Sequence, residues 1–240
     1  MIKLIFGLLL TVTSLAQAQQ TSSSQRLSDE RIIFRTNAGD IVIALYPDIA
    51  PKHAEQILRM VKAGIYNGTP IGRVEPGFVA QVYDYNAKKT PLTEKQQSLI
   101  KNIPAEFSAI PHTRGIVSMA RRDGDVNSAE SSFSFILGPA PHLDQQYTVV
   151  GEVVSGMDVL SLIENIKTDR QSVPMAELWV DSAQIVDAAK LEETKLQAAH
   201  SPPIPYEQGK LAFEIMAGFL FFFTISTPIA KSLWNKPKSK

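Results

Sequence analysis

Residues 71–84, IGRVEPGFVAQVYD, are the stretch from which the fold is most readily predicted. The run predicts two short strands joined by a turn at Pro76 and Gly77, because proline suits the second position of a type II turn and glycine the third. An arginine, a glutamine and a large aromatic side chain lie within this one hairpin. Hairpins usually expose one face to water, so Arg73 and Gln81 could be ordinary surface residues.

The same stretch resembles the cyclophilin pattern F-x-R-x-x-P-x-F-x-x-Q-G-G-D. Val82 and Tyr83 stand where that pattern has two glycines. The resemblance turns the hairpin into a candidate site, since the positions that match in register are Arg73, Pro76, Phe78, Gln81 and Asp84.

Four further segments resemble the same family, in the same order along the chain. Residues 112–120, HTRGIVSMA, resemble the strand opening x-T-x-G-x-x-S-M-A, and residues 143–157 resemble L-D-x-x-x-x-V-F-G-x-V-x-x-G-M. Residues 31–44 and 50–66 resemble the first hairpin and the first helix of the family. The resemblance covers roughly residues 31–188. It implies a mainly β fold, a closed eight-stranded antiparallel barrel with two capping helices.

Hydrophobic patterning favours the same architecture. Two helices are predicted over residues 49–63 and 157–166, and a helical turn is predicted near 94–100 inside the long connection 86–111. Many antiparallel strands with only two helices are typical of a closed barrel. Strands are predicted over residues 31–36, 39–45, 71–74, 78–83, 115–120, 133–137, 148–154 and 178–186.

Composition limits the functions that the chain can have. Its 240 residues allow one domain with flanking segments, and a hydrophobic content of 44% is enough for a core. The formal net charge is zero, which gives no support to nucleic-acid binding through a basic patch. The absence of cysteine excludes disulfides and thiol catalysis.

The N-terminal residues predict export. Residues 1–18 contain Lys3, an apolar run and the small-x-small sequence Ala16-Gln17-Ala18, which is typical of a signal peptide cleaved after Ala18. A buried N-terminal helix is the alternative. Residues 19–29 are polar and predict a flexible leader before a cyclophilin-like domain over residues 30–188.

The C-terminal residues predict a membrane anchor. Residues 211–233 include the uncharged, all-round apolar run 215–230, and several lysines follow on one side only. Positive charge marks the cytoplasmic side, so residues 234–240 are a predicted cytoplasmic tail. The domain is then non-cytoplasmic, or periplasmic in a bacterium, and the polar, proline-rich residues 189–210 form a stalk. Removal of the tail during processing is the alternative.

The resemblance implies rotation about an Xaa-Pro peptide bond, whose barrier is about 18–20 kcal/mol. Lowering that barrier needs a pocket for the proline ring and a donor that favours the twisted amide over the planar one. By resemblance, Arg73 is this catalytic donor and Gln81 positions it and contacts the substrate backbone. Phe78, Val79 and Leu143 line the proline pocket by the same resemblance.

The predicted pocket departs from the family at two serines. Counting back from Leu143 and Gly151 without a gap places Ser132 at the usual glutamine and Ser134 at the usual pocket phenylalanine. A one-residue slip would instead place Phe135 in the pocket. Loss of the aromatic ring would weaken binding by about 1–3 kcal/mol.

Four more residues complete the predicted substrate-binding set. His142 stands where many members have tryptophan, and Tyr147 stands where many have histidine. Ala120 and Arg121, which end and follow the S-M-A motif, belong to the groove by resemblance.

Side-chain alternation raises a geometric question about the hairpin. If Glu75 pairs with Phe78, then Arg73 and Phe78 share one face while Val79 and Gln81 share the other. The four side chains would converge only if the strands bulge or twist strongly.

No metal or cofactor is expected. Asp123, Asp125 and Asn127 resemble the start of a calcium loop, but Ser128 and Ser134 occupy positions that require glycine and glutamate. The four histidines lack metal-ligand spacing.

Two functions therefore remain open. The first is an exported, membrane-anchored peptidyl-prolyl cis-trans isomerase, or rotamase, that assists the folding of secreted proteins. The second, favoured by Ser132, Ser134 and Tyr147, is a catalytically weak module on the same fold that binds proline peptides or acts as a scaffold. The predicted partners are proline-containing polypeptides and the membrane, but not nucleic acid, and the domain is predicted to be monomeric.

Overall fold

The computed structural model describes residues 26–83 and 85–200. This part of the chain contains eight strands: β1 Glu30–Thr36, β2 Gly39–Leu45, β3 Thr69–Glu75, β4 Val79–Val82, β5 Ile116–Met119, β6 Phe133–Ile136, β7 Val149–Ser155 and β8 Trp179–Asp187. They close into an antiparallel barrel in the order β1-β2-β7-β5-β6-β4-β3-β8. The predicted mainly β, closed eight-stranded barrel is confirmed.

Aromatic side chains fill the centre of the barrel. The rings of Phe34, Tyr66 and Phe135 surround that of Phe133, with centroid distances of 5.4 to 5.5 Å to Phe133. All four side chains are fully buried. The strands are short and alternate inward and outward residues, so this aromatic cluster supplies much of the apolar burial that stabilises the barrel.

Four α-helices accompany the strands: α1 Pro51–Lys62, α2 Glu94–Gln97, α3 Met157–Glu164 and α4 Ala188–His200. Apolar side chains of α1 and α3, such as Ile57 and Leu160, belong to the same core as the barrel interior. The predicted helices over 49–63 and 157–166 and the predicted turn of helix near 94–100 are confirmed, each slightly shorter than expected. The first part of the predicted stalk is helical, within α4, up to His200.

Helix α1 ends as the sequence predicts but begins differently. Gly64 has a φ of 69° and its N–H donates to Val61 O, which terminates the helix. At the other end Ala50 has no capping side chain. The carboxylate of Glu106 accepts hydrogen bonds from the N–H groups of Lys52 at 3.2 Å and His53 at 3.1 Å instead. The long connection 86–111 is thereby fixed to α1.

The chain divides into two compact units after Lys190. The barrel with α1, α2 and α3 lies in the first unit. In the second unit the structure describes the remainder of α4 up to His200. No helix within residues 26–83 and 85–200 is long and apolar enough to cross a membrane. The predicted signal peptide, anchor and basic tail, most of the predicted leader, the predicted stalk after residue 200 and the matched position Asp84 lie outside the described residues.

Candidate active site

Three adjacent strands present one outward row of side chains. Ala80 and Val82 of β4 belong to the barrel core, so Gln81 between them faces outward. Gln81 pairs with Ser134 of β6, which pairs in turn with Ser118 of β5. The register therefore places a glutamine and two serines side by side on the outer face of the barrel.

The β3–β4 hairpin adds an arginine to this face. The observed register pairs Glu75 with Val79 and Arg73 with Gln81. The pairing of Glu75 with Phe78 that the sequence suggested is wrong, because Pro76, Gly77 and Phe78 together form the loop. A β-bulge between Ile71 and Arg73 adjusts the register further along β3. Arg73, Glu75, Val79 and Gln81 consequently share one face without strong twisting.

Phe78 reaches the same face from the turn. Its N–H donates to Glu75 O at 3.0 Å and Gly77 has a φ of 71°, as a type II turn requires. The predicted turn is confirmed, but β4 begins at Val79 and not at Phe78. The Phe78 ring lies with its centroid 5.6 Å from the guanidinium carbon of Arg73 and 5.1 Å from the His142 ring.

Helix α3 fixes the turn at Pro76 and Gly77 through a hydrogen bond. Glu164 accepts a hydrogen bond from Gly77 N at 2.8 Å through one carboxylate oxygen and pairs with Arg114 at 2.7 Å through the other. The Arg114 hydrogen bond is the main cause that lowers the pKa of Glu164. An ionised carboxylate thus fixes the position of the loop that carries Phe78.

These elements surround a cavity of about 160 Å³. Its walls are apolar where Phe78, Val79, Ile136 and Leu143 meet, and its rim carries charged side chains. The predicted site residues that line it are Arg73, Phe78, Val79, Gln81, Ala120, Arg121, Ser134, Leu143 and Tyr147. The remaining lining residues are Ser118, Met119, Asp123 and Ile136.

Two predicted substrate-binding residues lie beside this cavity. Ser132 lines a neighbouring cavity of about 180 Å³, which shares Gln81, Ala120 and Arg121 with the first. His142 is exposed and covers Phe78 from outside. At the opposite rim the guanidinium carbon of Arg121 lies 4.3 Å from the ring centroid of Tyr147.

The polar partners of the predicted catalytic pair differ from those expected. Arg73 Nη2 donates to Glu75 Oε2 at 2.5 Å. Gln81 Nε2 donates to Ser132 Oγ at 3.1 Å, and Ser132 in turn donates to Val82 O at 2.7 Å. Gln81 therefore holds Ser132 rather than Arg73, and Glu75 is the residue that orients the guanidinium.

The structure distinguishes the two alignments of β6. Ser134 lines the cavity and is 9% exposed, whereas Phe135 is fully buried among the aromatic rings of the barrel core. Strand alternation explains the result, because adjacent residues of one strand point to opposite faces. Ser134 thus takes the place at which the resemblance puts a pocket phenylalanine.

Sequence reasoning missed a buried group behind the cavity. His112 and Ser118 are both 2% exposed. His112 Nδ1 lies 2.9 Å from Asp144 Oδ1, and its Nε2 lies 2.9 Å from Ser118 Oγ. Asp144 also accepts from His112 N at 2.8 Å. Ser118 was visible in the S-M-A motif, but its contact with a histidine depends on folding.

The ionisation of this group follows from its burial. Desolvation lowers the pKa of His112, and the hydrogen bond to Asp144 only partly opposes this. Hydrogen bonds from His112 lower the pKa of Asp144. A neutral imidazole beside a carboxylate that can only accept must carry its proton on Nδ1, so Nε2 accepts the Ser118 hydroxyl proton.

Comparison with known proteins agrees with this geometry. The model of the family described as cyclophilin type peptidyl-prolyl cis-trans isomerase/CLD matches residues 31–185. The chain belongs to this family. It is therefore a peptidyl-prolyl cis-trans isomerase of the cyclophilin type, as the sequence predicted.

Relatives and solved structures support the assignment. A peptidyl-prolyl cis-trans isomerase of Arabidopsis thaliana is 43% identical over 173 residues, 71% of this chain and 75% of the relative. A probable peptidyl-prolyl cis-trans isomerase of Brucella suis is 42% identical over 153 residues, covering 61% of this chain and 77% of the relative. A Cryptosporidium parvum cyclophilin crystallised in the presence of the dipeptide Ala-Pro matches with a TM-score of 0.58 at 23% identity, covering 65% of this chain and 99% of that one. A Hirschia baltica cyclophilin has a TM-score of 0.56 at 24% identity, covering 66% of this chain and 75% of its own. These two structures support the fold.

Proposed function

We propose that this cyclophilin isomerises Xaa-Pro bonds at the cavity beside Arg73, on the non-cytoplasmic side of a membrane to which it is anchored. The observation that carries the site is the guanidinium of Arg73 at the rim of a hollow walled by Phe78, Val79 and Leu143. The proposed role is to assist the folding of exported, proline-containing polypeptides.

The hollow has the size of a small ring. An engineered protein cavity of about 150 Å³ holds a benzene molecule, and the hollow here measures about 160 Å³. A pyrrolidine ring is smaller than benzene, so it fits with its two flanking peptide groups at the rim. Apolar contact with the walls would hold the ring while the preceding peptide bond rotates.

Arg73 supplies the polar half of the mechanism. An amide that twists loses its resonance, and a donor placed beside it gains most when the twisted state forms. The guanidinium has five N–H donors and stays protonated at physiological pH. It can therefore keep one hydrogen bond to Glu75 and offer the others to the substrate. No proton transfer or covalent intermediate is needed.

A protease-coupled assay on an Ala-Xaa-Pro-Phe peptide tests the site. We expect Arg73→Ala to lower kcat/KM by about 100-fold, the order seen when one preorganised donor is removed from an active site. Arg35→Ala is the matched control, because Arg35 is an exposed arginine on β1, outside the strands that line the cavity. Equal loss of activity in both variants would refute the role of Arg73.

Export and anchoring rest on sequence features. Residues 1–18 have the pattern of a signal peptide, and residues 211–233 are apolar with lysines after them. We expect the full chain to remain with membranes after carbonate extraction and the barrel to be cleaved by protease added from the non-cytoplasmic side. A barrel protected from such protease would overturn the proposed orientation.

A weak binding module is the second candidate, and two observations favour it. Ser134 stands in the place of a pocket aromatic, and Glu75 occupies one donor of Arg73. Under this alternative, proline peptides bind near Arg73, as seen by chemical-shift changes, but the isomerisation rate equals the uncatalysed rate. Turnover that depends on Arg73 excludes it.

A further inference from the structure

The floor of the cavity is polar, which its apolar walls do not explain. Ser118 and Ser134 are cross-strand partners on β5 and β6, and both line the cavity. Directly opposed side chains on one face of a sheet lie close together. Two serines on neighbouring strands therefore line the hollow that holds a proline ring in the proposed function.

The Ser118 hydroxyl has its proton committed. Asp144 holds the Nδ1 proton of His112, so His112 Nε2 accepts from Ser118 at 2.9 Å. The alternative acceptor, Thr148 O, lies 3.4 Å from Ser118 Oγ, which is a weaker contact. Ser118 is left with a free lone pair and no proton to offer to the cavity. It is a fixed acceptor.

The Ser134 hydroxyl is in a different state. Ser134 is only 9% exposed and lines the cavity. Within residues 26–83 and 85–200, none of the hydrogen bonds made by side chains of the site, including those of Gln81, Ser118 and Ser132, involves Ser134. Ser134 Oγ is not one of the fully buried side-chain atoms without a partner, so it is open to the cavity and can bind a polar group that enters there.

An unmodified proline ring cannot satisfy this floor. Its Cβ, Cγ and Cδ carry only hydrogen, so an inserted ring would cover Ser134 without bonding it. The Cγ atom is the ring atom farthest from the backbone, and it enters deepest. A hydroxyl on Cγ would meet Ser134 and Ser118 together, donating to one and accepting from the other. The cavity of about 160 Å³ has room for this extra oxygen.

We propose that the cavity takes proline hydroxylated at Cγ, 4-hydroxyproline, in preference to unmodified proline, with Ser134 and Ser118 as the residues that recognise the ring hydroxyl. This specificity rests on the proposed isomerase site beside Arg73.

The test uses three peptides on the full-length chain. Ala-Ala-Pro-Phe is compared with the same peptide carrying (4R)- or (4S)-hydroxyproline, and each catalysed rate is divided by the uncatalysed rate of that peptide. We expect kcat/KM for one hydroxyproline isomer to exceed that for proline by about fivefold, as a net hydrogen bond implies. A ratio of one or less for both isomers would overturn the proposal.

A variant of Ser134 then tests whether this hydroxyl causes the preference for hydroxyproline. Ser134→Ala should bring the ratio close to one, and Ser182→Ala, a serine on β8, should leave it at the wild-type value. Because both peptides are measured on one variant, the ratio is insensitive to the fraction of folded protein. A preference that survives Ser134→Ala would refute the role of this hydroxyl.

Failure of the isomerase proposal has a different signature. If none of the peptides is turned over, the catalytic role of Arg73 is refuted. The preference is then measured as the ratio of the dissociation constants of the proline peptide and the hydroxyproline peptide. Tighter binding of the hydroxyproline peptide, lost in Ser134→Ala, would still support the recognition proposal. Equal binding of the two peptides would end it.

Discussion

One face of strand β6 points into the barrel core and the other points to the cavity, and the two faces differ in the substitutions that they tolerate. Phe133 and Phe135 point into the barrel, where they are fully buried among other aromatic rings. Ser134, between them, points outward onto the cavity. The inner face secures the barrel by apolar burial, so the outer face can exchange an aromatic for a hydroxyl without weakening the core. Residues that pack in the core and a residue that lines the cavity thus alternate within four residues of one strand.

The largest expected effect tests the difference between the two faces directly. Phe135→Ala should lower the free energy of unfolding by about 3–5 kcal/mol, because it leaves a cavity in a packed aromatic core. Ser134→Ala, one residue away, should change it by less than about 1 kcal/mol. Urea unfolding followed by circular dichroism measures both. Similar losses for the two variants would show that the outer face is also part of the stabilising core.

A second effect concerns two buried histidines that lie outside the strands. Burial lowers the pKa of His53 and of His112, and the hydrogen bonds to Glu106 and Asp144 oppose this only in part. The unfolded chain then binds more protons than the folded one below the ordinary histidine pKa of 6.5. Stability is therefore complete above that pH and falls as the pH drops below it.

The urea concentration at the unfolding midpoint measures this effect. It is determined between pH 8 and pH 5 in steps of roughly one pH unit, a range that spans the ordinary histidine pKa. His53→Gln and His112→Gln should each flatten the pH dependence while lowering the stability at neutral pH. An unchanged slope in both variants would contradict the assignment of the pH effect to these two side chains.

A third, smaller effect concerns the loop between β3 and β4, which carries Phe78 and is hydrogen-bonded to α3. Glu164→Gln removes the charge that holds both Gly77 N and Arg114. We expect kcat/KM for a proline peptide to fall about threefold, because Phe78 is positioned less firmly by a neutral amide. The fall should appear in KM more than in kcat, since Arg73 is untouched. A change in kcat alone would indicate a different role for Glu164.

The smallest effect probes the charge on the rim. Glu75 occupies one donor of Arg73, so Glu75→Gln should raise kcat/KM about twofold, a size typical of half-exposed ion pairs. Glu55→Gln is the matched control, because it breaks the exposed Glu55–Arg59 pair on α1. A decrease in kcat/KM for Glu75→Gln would show that orienting the Arg73 guanidinium matters more to catalysis than freeing one of its donors.

Most of the barrel was predictable, whereas the details of the site were not. All eight strands and helices α1 and α3 follow from alternation, helical spacing, Pro51 and Gly64. The hairpin pairing was predicted wrongly, since a two-residue loop and a three-residue loop both suit the same turn residues. That one-residue difference moves Val79 and Gln81 onto the face of Arg73.

Long-range polar contacts account for the other features that could not be predicted from the sequence. Glu106 replaces a missing cap on α1 from more than fifty residues away, and Asp144 reaches His112 across 32 residues. Such pairs leave no periodic signal in a sequence, because each partner is a common polar residue that could equally face water.

The sequence by itself determined the barrel, its order of strands and helices, and the presence of an arginine, a phenylalanine and a leucine suited to a proline site. The barrel and its elements depend on local preferences and on the periodicity of apolar residues, which are written along the chain, whereas the three site residues are assigned by resemblance to the cyclophilin family. Tertiary structure decided which side chains share the cavity, that Glu75 and not Gln81 holds Arg73, and that two serines form the floor. These outcomes depend on strand register and on burial, and both exist only after distant segments have packed together.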